Sequence, residues 1–264
     1  MKNLFLREYV LRKKLIFFLF VVVFLLGVIY IAIYPSLQHQ ATKLISSLGQ
    51  VYKNVGIEGK VSFTTLQGYL QVEMFAFTWP IIMTLLATSI SGNMLAGEIE
   101  KGTIGMLLAQ PFKRSKIYLT KYLFGLIAIS LFILATFSSL FLMSEITNLS
   151  LPNSHFINLF INCFLFGTAI FSLGIMVSAI LSQKSLQYFI VGIFMLITYI
   201  TNAVAGLNTK LDYLKYLSLM HYFNYSSILA FNKLPSNSIL VLIIFSLTCL
   251  SIGLLTFNHR DISI

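Results

Sequence analysis

Charge is what this sequence most lacks. Only 10% of its 264 residues are Asp, Glu, Lys or Arg, against about 25% in an average soluble domain. Acidic residues are the scarcest, 8 against 18 basic ones, for a net charge of +10. A water-soluble fold is excluded on those numbers. Cysteine is nearly absent too: Cys163 and Cys249 both sit inside apolar runs, which excludes a disulfide framework and a cysteine zinc site. His39, His155, His221 and His259 are scattered, without metal-ligand spacing. No Ser or Cys has a His placed to act as its base, so nucleophilic hydrolysis has no candidate. A phosphate-binding loop is also missing. The nearest approach, Gly97 to Thr103, lacks the lysine after its second glycine and puts Glu98 and Glu100 where phosphate would sit.

What is present is apolar length. The chain is 58% hydrophobic with 24 Phe, and a membrane-spanning helix needs about 20 largely apolar residues. Six runs qualify: 15–34, 74–96, 122–143, 156–181, 186–206 and 238–257. Together they make half the chain, and none contains Asp, Glu, Lys or Arg. A membrane β-barrel would show alternating segments of about 10 residues; these runs are continuous. The expected fold is all-α and integral to the membrane, one domain over 1–264.

Lys and Arg counts in the loops orient the spans. Twelve lie on the side of the two termini and six on the other, which predicts both termini in the cytoplasm. The basic excess thus reads as topology rather than as a nucleic-acid surface. The first run is long for a secretory signal and ends in Tyr34-Pro35 without a small-residue cleavage site, so a retained anchor is expected.

Two outward loops carry more than connection. In 35–73, Ala41, Leu44, Ile45 and Leu48 recur at helical spacing, and Phe63, Leu66 and Leu70 start a second pattern. Amphipathic extracellular helices are expected there. In 207–237, Leu211, Leu214 and Leu217 alternate with Tyr213, Tyr216, His221, Tyr222 and Tyr225, which suits an aromatic belt or a shallow re-entrant helix. Ser89, Ser91, Asn93, Thr168 and Asn202 read as packing and hydrogen-bonding polars. Gly174, Ser178 and Ser182 form a small-residue stripe suited to close helix packing or a subunit contact. The spans hold no ionisable residue, which disfavours a carrier driven by a proton or sodium gradient. An intramembrane enzyme has no polar catalytic group, and transport against a gradient would draw its energy from a partner.

The loop 97–121 is the most informative stretch. Gly102 permits a sharp exit from the second span, and Thr103 suits the N-cap of a short helix. Ile104, Leu107 and Leu108 then share one apolar face. Pro111 ends that helix and can open the next. A stubby amphipathic helix results, with carboxylates before it and cations after it. Such a helix suits a groove in a soluble partner or, with Lys113, Arg114 and Lys116, an anionic lipid surface.

Glu98, Glu100, Gly102, Thr103, Leu107, Leu108, Pro111, Arg114 and Lys121 resemble the Glu-x-Glu-x-Gly-Thr … Leu-Leu-x-x-Pro-x-x-Arg … Lys signature of ABC-2 type permeases, the membrane subunits of many bacterial ABC exporters. Phe257 to Ile262 resembles the F-x-x-[RK]-D-[IL] ending of that family. The resemblance implies two permease chains, identical or paralogous, over two separate ATPase subunits in the bacterial plasma membrane. No cofactor is expected in this chain; ATP and magnesium belong to the partner. Residues 103–110, with Ile104 in the apolar face, would be the coupling helix. Glu98 and Glu100 would orient it through the ATPase or the basic N-terminal segment, and Arg114 and Lys121 would anchor its far end. Residues 2–14 would form an interfacial connecting helix. With no fixed charge in the pathway, the cargo expected is an amphipathic peptide such as an antimicrobial or toxin peptide. Lipid-linked glycan or drug export is the alternative, and a non-ABC channel or secondary carrier is a further one.

Overall fold

Continuous apolar sequence in a medium without water must satisfy its backbone internally, and helices do so. A computed structural model describes residues 2–38, 65–147, 149, 153–207 and 209–261. Six of its helices are long and apolar enough to cross a membrane, and the described residues contain no strand. They are α1 (Lys2–Gln38), α2 (Leu66–Met94), α5 (Arg114–Ile146), α6 (Asn153–Ile180), α7 (Lys184–Leu207) and α9 (Ser236–His259). Two short helices, α3 (Ala96–Glu100) and α4 (Ile104–Leu108), fill the link between α2 and α5. A third, α8 (Tyr225–Phe231), precedes α9.

The six expected spans are all found; all begin earlier than expected, and all but α2 and α6, which stop at Met94 and Ile180, also run further. Most notably, α1 runs without a break from Lys2 through the first span. The expected separate connecting helix at 2–14 is therefore the lower end of α1. The expected outer helix carrying Ala41, Leu44, Ile45 and Leu48 lies outside the described residues. Leu66 and Leu70 belong to α2 itself, so the second outer pattern is the start of a span.

α6 is the centre of the bundle. It packs against α9, α2 and α5, while α1 packs chiefly on α5, and α7 on α2 and α6. Small residues allow the close approaches. A Cβ on Gly125 of α5 would lie 1.9 Å from the Phe171 ring of α6, and one on Gly253 of α9 would lie 2.1 Å from the Tyr118 hydroxyl. Gly174 faces Ser91 of α2, and the Ser178 hydroxyl accepts the Ala96 amide at 2.9 Å. Two members of the small-residue stripe thus serve packing within the chain, not a subunit contact.

α2 is not a uniform helix. Leu70–Thr78 has the wider π pattern, and normal α geometry resumes at Trp79. Pro80 lacks the N–H that would reach the Ala76 carbonyl; the Tyr199 hydroxyl donates to that carbonyl at 3.4 Å.

The aromatic loop before α9 is anchored in the core. It winds as tight 3₁₀ turns over Thr209–Leu217 and Leu219–Tyr222. Phe223 then stacks on Phe166 at 4.5 Å and on Trp79 at 5.3 Å between ring centres. Tyr213, Tyr216 and Leu217 stay exposed, so one loop has a belt-like face and an inserted anchor.

Candidate functional site

The stretch that the sequence singles out lies at the end of the bundle holding both chain termini. Its local form follows from its breaks. α2 stops at Leu95, whose backbone leaves the helical region at φ −121° and ψ −65°. α3 then runs to Glu100, and Gly102 turns the chain at φ +69°, a left-handed conformation that glycine adopts without steric cost. α4 follows for five residues and ends before Pro111; α5 begins at Arg114 with extended Lys113 as its cap.

Two details differ from the sequence reading. Thr103 does not cap α4 with its side chain; its backbone is already helical, and its hydroxyl donates to the Glu98 carbonyl at 3.2 Å. Pro111 ends α4 but stands three residues ahead of α5, so it does not open that helix.

α4 has one face in and one out. Ile104 and Leu107 are 1% and 2% exposed, and Leu108 is half-buried. Met106, on the opposite side, is 77% exposed. A helix of five residues has no stability of its own; burial of Ile104 and Leu107 against the bundle holds it. It therefore presents a protruding methionine on a short, fixed mount.

Behind this mount lies a buried ionic cluster. Lys121 Nζ of α5 is 2.6 Å from Glu8 Oε1 of α1 and 3.0 Å from Glu98 Oε1 of α3. Arg12 pairs with Glu8 one turn away and lies 4.0 Å from Glu98. Arg7 approaches Glu98 at 3.5 Å. Glu8, Arg12, Glu98 and Lys121 are all 6% exposed or less. Arg12 also donates to the Asn93 carbonyl at 2.9 Å, where α2 breaks off. Three cations against two carboxylates tie α1, α3 and α5 together by ion pairs, although among the described residues neither Glu98 oxygen has a hydrogen-bond partner. An isolated charge there would cost several kcal/mol.

This geometry divides the expected site residues. Glu98 contacts the basic N-terminal segment, as one of the two expected options had it, and is buried. Lys121 joins Glu98 itself and not the far end of α4. Glu100 is at the surface, where it accepts the Lys184 amide at 2.9 Å and so caps α7. Arg114 turns towards the other terminus and donates to the Arg260 carbonyl and, at 3.5 Å, to that of Asn258. Arg260 in turn donates to the Ala179 and Leu181 carbonyls at 2.8 and 3.1 Å and to the Ser182 hydroxyl. Ser182, third in the small-residue stripe, thereby holds the C-terminal segment.

Residues 8–262 match the family model described as ABC-2 family transporter protein. The chain belongs to that family. This ABC-2 family protein is accordingly a membrane component of transport. No curated protein matches its sequence.

Arg7, Glu8 and Arg12 are the members of the cluster that the sequence did not single out as site residues, and the first of them is only partly buried. The spacing of four between Glu8 and Arg12 on a helix was the available signal. Ser91, Asn93 and Gln187 of this ABC-2 protein join α2 to α7 and α6. Gln187 Nε2 donates to Ser91 Oγ at 3.0 Å and to the Gly174 carbonyl at 3.2 Å, and Asn93 donates to the Tyr188 hydroxyl at 3.1 Å. Among the described residues, no group of His, Cys, Asp or Glu could hold a metal ion.

Proposed function

We propose that this chain is the permease subunit of an ABC exporter in the bacterial plasma membrane, with both termini in the cytoplasm. Two such chains, identical or paralogous, form the pathway over two separate ATPase subunits. α4 is the element that fits the ATPase, with Met106 entering an apolar recess and Ile104 and Leu107 keeping the helix on the bundle. The exposed Met106 on that fixed mount carries the reading. Methionine is suited to such a role, being flexible and apolar.

Closure of the ATPase pair on ATP would push α4. The push passes through α3 to the Glu98–Lys121 and Glu98–Arg7 contacts, and so to α5 and α1. A rigid-body tilt of these helices changes which side of the membrane the pathway faces. Glu100 and Arg114 steady the neighbours of α4, holding α7 and the C-terminal segment. The cargo we propose is an amphipathic peptide, since the apolar runs hold no Asp, Glu, Lys or Arg. Co-purification of the ATPase with wild-type and Met106→Glu chains tests the assignment. Loss of the ATPase from a variant that still inserts in the membrane supports it, and unchanged association overturns it.

A further inference from the structure

The six apolar runs contain no Asp, Glu, Lys or Arg, yet the spanning helix Leu66–Met94 carries one carboxylate, away from the cluster described above. Glu73 is two turns into Leu66–Met94. Contacts with α1 set its depth. The rings of Tyr34 and Tyr69 are 5.3 Å apart, and the Tyr30 hydroxyl lies 2.8 Å from Thr78 Oγ1. These two rungs bracket Glu73 at the level of the last apolar turn of α1. A carboxylate at that depth is costly, and residues of this kind are kept for binding or relay. Glu73 is half-buried and makes no ion pair with any described cation.

Two independent features point to a ligand. The first is backbone: Glu73 lies within the π segment Leu70–Thr78, and its carbonyl accepts from Thr78 Oγ1 at 3.0 Å. Such wide turns in long helices occur disproportionately at functional sites. The second is the surround. Tyr69, one turn before, is buried against the Tyr30 and Tyr34 rings of α1 and closes that side. Phe77, one turn after, is partly exposed and packs 5.5 Å from the Tyr199 ring. The stripe continues through exposed Ile81 and Leu85, so the carboxylate heads an apolar face of α2.

A carboxylate one turn from a partly exposed aromatic ring can attract an organic cation by charge, and the ring adds the attraction of its negative face. We propose that Glu73, with Phe77, recognises the cationic group of a hydrophobic cargo, an alkylammonium or guanidinium on an amphipathic chain. This rests on the exporter reading and narrows its cargo to cations.

The test uses two hydrophobic ions of similar shape and opposite charge, tetraphenylphosphonium and tetraphenylborate. Binding is measured to the full chain in phosphatidylcholine nanodiscs, with empty nanodiscs subtracted. The wild type should prefer the phosphonium. Glu73→Gln should weaken phosphonium binding about tenfold and leave the borate unchanged, as expected on losing one partner of a desolvated charge pair. Phe77→Leu should weaken it a few-fold, and Glu73→Asp should keep most of it, which covers a Gln variant that fails to fold. Equal affinity of the wild type for both ions, or a Gln variant as tight as wild type, overturns the proposal. So does a zero-length cross-link from Glu73 to Lys43, Lys53 or Lys60 that saturating phosphonium does not displace. ATPase co-purification is read in parallel: lost cation preference with that association intact removes only this site. The converse result removes only the exporter assignment.

Discussion

Lys121 Nζ stands 3.0 Å from Glu98 Oε1, joining the first turns of α5 to the short helix after α2. The two residues are 1% and 6% exposed, and Glu8 completes the contact from α1 at 2.6 Å. Removing one partner strands a buried charge, which costs about 3–5 kcal/mol. Lys121→Met should therefore lower thermal stability in detergent by that order. Lys121→Met with Glu98→Gln should recover part of the loss, since the Glu98 charge is removed with its partner while Glu8 keeps Arg12. A double variant as unstable as the single one would show that the pair is not coupled. Charge reversal at Glu98 consequently tests the fold, whereas the same change at Glu100, at the surface, should move stability by less than about 1 kcal/mol.

Met106 separates association from folding. Its side chain is 77% exposed, so Met106→Glu should leave the melting temperature unchanged within about 0.5 kcal/mol. Co-purification of the ATPase should fall at least tenfold, as for a desolvated anchor at an interface centre. Ile104→Glu is the contrasting variant. It buries a charge and should cost stability first, visible as loss of the folded chain before any binding measurement.

The sequence exposed the scaffold well and the long-range contacts poorly. Continuous apolar length is a local property, so all six spans were legible. Gly102 and the Ile104, Leu107 face were legible for the same reason, because turn and periodicity are written within a few residues. The Glu8–Lys121 pair spans 113 residues, and nothing local reports which distant cation a carboxylate meets. Arg114 and Arg260 are a second instance: one is expected to anchor the far end of 103–110 and the other stands in the family-like ending, and only through-space proximity of the α5 start to the α9 end makes one hold the other. Glu73 escaped because an apolar window stops at a charge, while the helix does not. The π turns carry α2 past it to Leu66.

Arg260 should behave as a clamp and not as a surface charge. Its guanidinium serves two carbonyls at the end of α6 and the Ser182 hydroxyl. Arg260→Ala should cost about 1.5–3 kcal/mol, the range for hydrogen bonds to a charged group, and should free the C-terminal segment to proteases. Arg260→Lys should rescue little, since an ammonium lacks the planar fork that reaches separate acceptors. Full rescue by Lys, read as wild-type melting and protease resistance, would reduce the role to charge alone.

Two glycines in spanning helices should give opposite results for one chemical change. A Cβ on Gly125 would lie 1.9 Å from Phe171, so Gly125→Ala must push the ring or part α5 from α6. Overpacking of that kind costs about 1–3 kcal/mol. Gly192 on α7 has open space around its Cβ direction, with no atom within 4 Å. There Gly192→Ala should gain up to about 1 kcal/mol from helix propensity. Thermal unfolding of both variants in detergent reads the difference directly. If Gly192→Ala instead breaks association of two permease chains while leaving the single chain as stable as before, the exposed face of α7 is where the second chain packs. Equal destabilisation of the single chain by both changes would mean that α7 sits closer to its neighbours than this structure has it.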